Sequence, residues 1–194
     1  MSNLIRSFIA IPLSHEIHQN LANLARQHNL ESPEFGLRLV KPENIHLTLK
    51  FTGDIESHQV PVISRSLDTV LHSETPFTLE VLALGAFPGW KGNPRVIWVG
   101  IQPLEKLRVF QQKIESALHP YGFESEKRPF SPHLTLARVK QDCNAAKQKA
   151  LFEKLMNLQP TPKFGSLTVD HVNFYRSQLL PAGPIYTILS QHKF

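Results

Sequence analysis

The tetrapeptide His-Leu-Thr-Leu occurs twice in this chain, at residues 46–49 and again at 133–136. Each copy alternates polar and apolar residues, the two-residue period of a half-buried strand. Residues two apart on a strand share a face. His46 and Thr48 therefore point one way, with Leu47 and Leu49 turned into a core. His133 and Thr135 repeat the arrangement over Leu134 and Leu136. One His-x-Thr on a strand is an ordinary edge histidine. Two identical copies, each near prolines and separated by about half the chain, point to a duplicated structural unit. If the two strands face each other across a cleft, two imidazoles and two hydroxyls converge on one small volume.

The residue types suit acid–base chemistry on an anion. An imidazole titrates near pH ~6.5, so two of them can divide the roles of acid and base at neutral pH. Threonine hydroxyls can donate to anionic oxygens. Metal binding is not expected. The motifs carry Thr where a ligating or supporting carboxylate would be needed, and the chain contains no His-x-x-x-His or His-Glu-x-x-His run.

The 194 residues suit one domain, or two small lobes sharing a cleft. Hydrophobic residues make up 41% and charged residues 19%, enough apolar content for a core and too little charge for disorder. The formal net charge of +5 favours an anionic partner. The single cysteine, Cys143, excludes an intramolecular disulfide and fits a reducing cytoplasm. The apolar run at residues 8–13 is short and broken by Pro12, so no signal peptide is expected. No stretch approaches the ~20 apolar residues of a membrane span.

The pattern along the chain predicts strands at residues 6–13, 37–40, 45–51, 77–87, 95–101, 133–139, 167–174 and 184–189. Helices are predicted at 14–28, 57–71, 104–118 and 144–158, with Ser14 as an N-cap. Residues 52–54 read as a turn, Gly85 as a bulge, and 175–183 as a connection. The order implies an α+β fold with mainly antiparallel sheets. We expect residues 1–194 to form a single domain of two similar lobes, each a small sheet with outer helices, related by a pseudo-twofold about a central cleft.

Arg138 lies five residues after His133. In a regular strand that odd offset turns it away from the site, so a site role requires a bulge or a strand end. A guanidinium is nonetheless the best single partner for a phosphate. By the same parity Lys50 would join His46 and Thr48, while Phe51 would pack in the core rather than stack on a base. Lys127 and Arg128 would either add positive potential upstream of the second motif or stand as solvated surface charge.

These residues carry a resemblance. The chain resembles the two-histidine (2H) phosphoesterases, and within them the RNA 2',3'-cyclic phosphodiesterases first described as 2'-5' RNA ligases. The resemblance runs nearly end to end, through HLTLKFTGDI, LGAFP, RVIWVGI, RPFSPHLTLAR and FYRSQLLPAGPIYTIL. It implies a bilobal fold and a cofactor- and metal-independent reaction. In that reaction a terminal 2',3'-cyclic phosphate opens to a 2'-phosphomonoester, with reversible 2'-5' joining as a related activity. It places His46 as proton donor and His133 as proton acceptor, with Thr48, Thr135 and Arg138 on the phosphate. The implied partner is RNA with 2',3'-cyclic phosphate ends, tRNA halves among them. A cytoplasmic monomer is expected. The rival readings are an RNA-binding module without turnover and a 2H enzyme for small cyclic nucleotides.

Overall fold

The computed structural model describes residues 4–91, 93–140, 145–181 and 183–194. Cys143, and the Asn144 start expected for the last helix, lie outside the described residues. Among the described residues the elements run β1 (Ile5–Pro12), α1 (His15–Gln27), β2 (Leu37–Leu39), β3 (His46–Ile55), α2 (Val60–His72), β4 (Phe77–Phe87) and β5 (Val96–Gln102). There follow α3 (Glu105–Leu118), β6 (Leu134–Val139), α4 (Ala145–Met156), β7 (Lys163–Val169), β8 (His171–Leu180) and β9 (Gly183–Lys193).

The strands form two antiparallel sheets, ordered β3-β1-β8-β9 and β2-β6-β5-β4-β7. The amphipathic helices cover their outer faces. α2 and α3 pack on the first sheet against β9 and β3; α1 and α4 pack on the second against β7 and β4. Ser14 accepts from the Ile17 amide at the start of α1, whose Ile17, Leu21, Leu24 and Ala25 are buried as their helical spacing predicts. The apolar run of β1 is buried on both faces, because β1 lies between β3 and β8 with helices behind it. The fold is α+β and bilobal, as expected.

The lobes do not follow the order of the chain. β2 comes from the first half, yet it pairs with β6 of the second motif. β8 and β9 come from the end, yet they complete the sheet of β1 and β3. The expected strand at 167–174 is therefore two strands in two sheets, divided at Asp170. The expected connection at 175–183 is mostly strand, since β8 continues to Leu180.

Two local expectations are corrected by bulges. Residues 52–54 do not end β3. Thr52 is an extra residue against β1, and Gly53, at φ +75°, carries the chain through. The bulge of β4 falls at Ala83, at φ +62°, not at Gly85. Gly85 instead lies under the Trp98 ring, and a Cβ there would sit 2.1 Å from a ring carbon. The glycine is needed for close approach, which a sequence pattern does not distinguish from a bulge.

Candidate active site

A cleft of about 880 Å³ opens between the sheets, and His46, Thr48, His133, Thr135 and Arg138 all line it. β3 and β6 belong to different sheets and approach each other across this cleft. His46 opens β3, whereas His133 lies just before β6.

Both histidines are held the same way. His46 Nδ1–H donates to the Asn44 carbonyl at 2.7 Å, and His133 Nδ1–H donates to the Ser131 carbonyl at 2.8 Å. A carbonyl can only accept, so each Nδ1 carries a hydrogen and each Nε2 is left for chemistry. The offset of two residues is identical in both copies. These carbonyls were invisible in the sequence because a backbone acceptor has no residue signature. Asn44 is itself anchored, its side-chain amide donating to the Pro184 carbonyl at the start of β9 at 3.1 Å.

The environments of the two rings differ. His46 stacks on Phe8 at 4.7 Å and meets the edge of Tyr186 at 5.2 Å. Burial holds its imidazole below the ordinary value of 6.5, an effect partly offset by the bond to Asn44. His133 meets the Phe87 ring edge-on at 5.0 Å. Phe87 lies 5.3 Å from Trp98, which covers Gly85, so the strand packing of β4 and β5 supports His133 from behind. Burial raises the phenols of Tyr175 and Tyr186, and Arg138 pulls Tyr186 part of the way back. Both phenols therefore stay protonated at neutral pH and can donate. Phe8, Tyr175 and Tyr186 were not singled out from the sequence, since apolar and aromatic residues in strands read simply as core.

A bulge decides the direction of the residues beyond each motif. In the pairing of β6 with β5, Leu136 is an extra residue: Trp98 stands opposite Thr135 and Ile97 opposite Ala137. The bulge reverses the parity, so Arg138 returns to the cleft face. The first copy does the same at Leu49, where Ala10 faces Thr48 and Ile9 faces Lys50. Lys50 therefore does not line the cleft. It is only 4% exposed, pairs with Glu115 and donates to the Glu124 carbonyl at 2.9 Å. Gln111 holds Glu115 at 2.9 Å and also donates to the carbonyl of the bulged Leu49 at 3.3 Å. Phe51 is correspondingly turned out of the core. It is 72% exposed and lines the cleft.

Among the described residues the cleft lining contains Arg6, Arg38, Lys41, Arg128 and Arg138 and no carboxylate. Of the two readings open for the upstream pair, Arg128 lines the cleft and Lys127 is exposed outside its lining, as surface charge. Among the described residues no group of three or more His, Cys, Asp or Glu side chains comes together as a metal site. The arrangement can hold a phosphate between two proton-transfer groups, with hydroxyls and guanidinium as oxygen donors.

The model of the LigT-like phosphoesterase family matches the chain twice, over residues 11–98 and 99–186. The RNA 2',3'-cyclic phosphodiesterase of Methanothermobacter thermautotrophicus is 34% identical over 186 residues, covering 94% of this chain and 95% of its own. That of Thermotoga maritima is 30% identical over 190 residues, covering 98% and 96%. Among solved structures, E. coli LigT in complex with 3'-AMP superposes with a TM-score of 0.77 at 27% identity over 99% of both chains. The TT0787 protein of Thermus thermophilus gives 0.77 at 26% over 97% of both.

Proposed function

The chain belongs to the LigT-like phosphoesterase family of two-histidine enzymes, and we propose that it acts as an RNA 2',3'-cyclic phosphodiesterase. The observation that carries this reading is the pair of histidines, each fixed through Nδ1 to the carbonyl two residues earlier, in a cleft lined, among the described residues, by cations without a carboxylate.

In-line displacement at phosphorus requires a base on the nucleophile and an acid on the leaving oxygen, on opposite sides. His133 Nε2 takes a proton from water as the water oxygen bonds to phosphorus. The bond from phosphorus to O3' breaks, and His46 Nε2–H gives its proton to that oxygen. The product is a 2'-phosphomonoester with a free 3'-hydroxyl. Each proton transfer contributes on the order of 10²–10⁴-fold. The Thr48 and Thr135 hydroxyls and the Arg138 guanidinium stabilise the charge on the non-bridging oxygens. His46 must begin protonated, which its burial opposes; the negative charge of a bound phosphodiester restores the imidazolium. Phe51 offers an exposed ring for stacking on a base.

No step calls for a metal ion, because the two imidazoles do the work a metal-bound hydroxide would do. With an RNA 5'-hydroxyl in place of water, the same groups would form a 2'-5' linkage. On this reading the substrates are RNA ends such as tRNA halves, the whole chain works as one unit because the site draws on both sheets, and it does so as a monomer in the cytoplasm.

The test is product analysis. RNA ending in a 2',3'-cyclic phosphate is incubated with the protein in EDTA, and the hydroxyl that keeps the phosphate is identified. A 2'-phosphate formed without divalent ions is expected. A 3'-phosphate, or activity abolished by chelation and restored by one metal, would overturn the mechanism.

A further inference from the structure

The scissile phosphate leaves part of the cationic cleft unexplained. Arg38 stands directly opposite Arg138 in the antiparallel register of β2 and β6. Like charges placed opposite each other on such a pair are destabilising. Neither arginine has an acidic partner among the described residues; of the five cations lining the cleft, only Arg128 forms an ion pair, with Glu126. β2 has only three residues, at the edge of its sheet, and the backbone bond from Val40 N–H to the Leu136 carbonyl at 2.9 Å fixes it beside the second bulge. Its placement brings Arg38 and Lys41 to the cleft. Arg38 reaches the other lobe, its guanidinium lying 3.8 Å from where a Cβ would stand on Gly183.

We propose that Arg38, with Lys41, binds a second phosphate: a backbone phosphodiester of the same RNA chain, adjacent to the cyclic phosphate. This inference rests on the phosphodiesterase reading and deepens it. One strand spacing and three residues separate the Arg38 backbone from Thr135, on the order of 10 Å. Arg38 thus stands one strand spacing farther out than Arg138, on the edge strand, the side on which the neighbouring nucleotide of a chain would lie. A cyclic phosphate brings one negative charge, and Arg138 already faces it. An anion at Arg38 relieves the repulsion between the two guanidiniums, and a guanidinium fork fits phosphate oxygens in pairs. The subsite makes the enzyme select an RNA end over a free cyclic mononucleotide.

The experiment compares two substrates, a nucleoside 2',3'-cyclic phosphate and a dinucleotide ending in one, for the wild type, Arg38→Gln and Lys41→Gln. Arg38→Gln is expected to lower kcat/KM on the dinucleotide about ten- to a hundredfold, the cost of a charge-assisted bond. The mononucleotide should be turned over as before, which also reports correct folding. Lys41→Gln should give the same selective loss at smaller size. The salt dependence on the dinucleotide should weaken in both variants, since each loses a phosphate contact. Equal loss on both substrates would put Arg38 at the scissile phosphate and overturn the proposal, as would unchanged kinetics on both. Should the wild type turn over neither substrate, the phosphodiesterase reading fails separately. Binding of a dinucleoside monophosphate then decides the subsite: weaker in Arg38→Gln supports it, equal in both proteins refutes it.

Discussion

Phe51 and Arg138 occupy equivalent places in the two halves. Each stands five residues beyond its histidine and two beyond a leucine bulge, Leu49 or Leu136, that turns it into the cleft. One copy thus presents a flat apolar ring and the other a guanidinium, on the same local geometry. On the proposed function, the duplication is divided between the nucleoside and the phosphate of one ligand.

That division predicts separable effects. Phe51→Ala should raise KM while leaving kcat nearly intact, a loss of about 1–3 kcal/mol for a stacked base. Its high exposure means little change in thermal stability. Arg138→Lys should impair turnover because lysine keeps the charge and loses the planar fork. Arg138→Ala should be worse and should also weaken inhibition by the 2'-phosphate product. Steady-state kinetics beside a thermal melt checks both, and wild-type kinetics in Arg138→Ala would remove that residue from the site.

His46→Ala and His133→Ala should each lower kcat by orders of magnitude. The double variant should be little worse than either single one, since groups acting as a unit are non-additive. Thr48→Ala and Thr135→Ala should lose less, on the order of 10–10³-fold, as phosphate donors. Near-normal kcat in either histidine variant would refute the shared acid–base role.

Burial gives His46 a testable pH signature. In the empty protein its ring should titrate below 6.5 by NMR, and a bound nucleoside 2'-phosphate should move the midpoint upward. The sign for stability follows. Below about pH 6.5 the unfolded chain binds this proton more readily than the folded one, so His46 withdraws stability as pH falls through its lowered folded-state pKa. A midpoint at or above 6.5 without ligand would remove the burial effect.

The Lys50–Glu115–Gln111 cluster braces the first bulge from behind through the Leu49 carbonyl. Lys50→Met leaves Glu115 buried and unpaired and should cost about 3–5 kcal/mol in chemical denaturation. Adding Glu115→Leu should restore much of that stability. Turnover should stay reduced in the double variant if the cluster also fixes Thr48 and Phe51, and a full return of kcat would limit the cluster to stability.

The duplicated motif carries much of the site on its own. His46, Thr48, His133 and Thr135 could be read as one converging set because strand parity over two or three residues is local and robust. The α+β class and most helices followed from periodicity for the same reason. Parity failed beyond Leu49 and Leu136, where one extra residue in each strand exchanged Lys50 for Phe51 and returned Arg138. A bulge is fixed by the register against a partner strand, and that partner, β1 or β5, is remote in sequence. The same holds for sheet membership. Nothing local says that β2 joins β6 or that β8 and β9 return to β1, since only burial against distant elements favours those pairings. Tertiary structure alone thus placed Arg38 opposite Arg138 and Tyr186 beside His46. The sequence by itself determined the chemistry of the site, and the long-range strand pairing decided which side chains surround it.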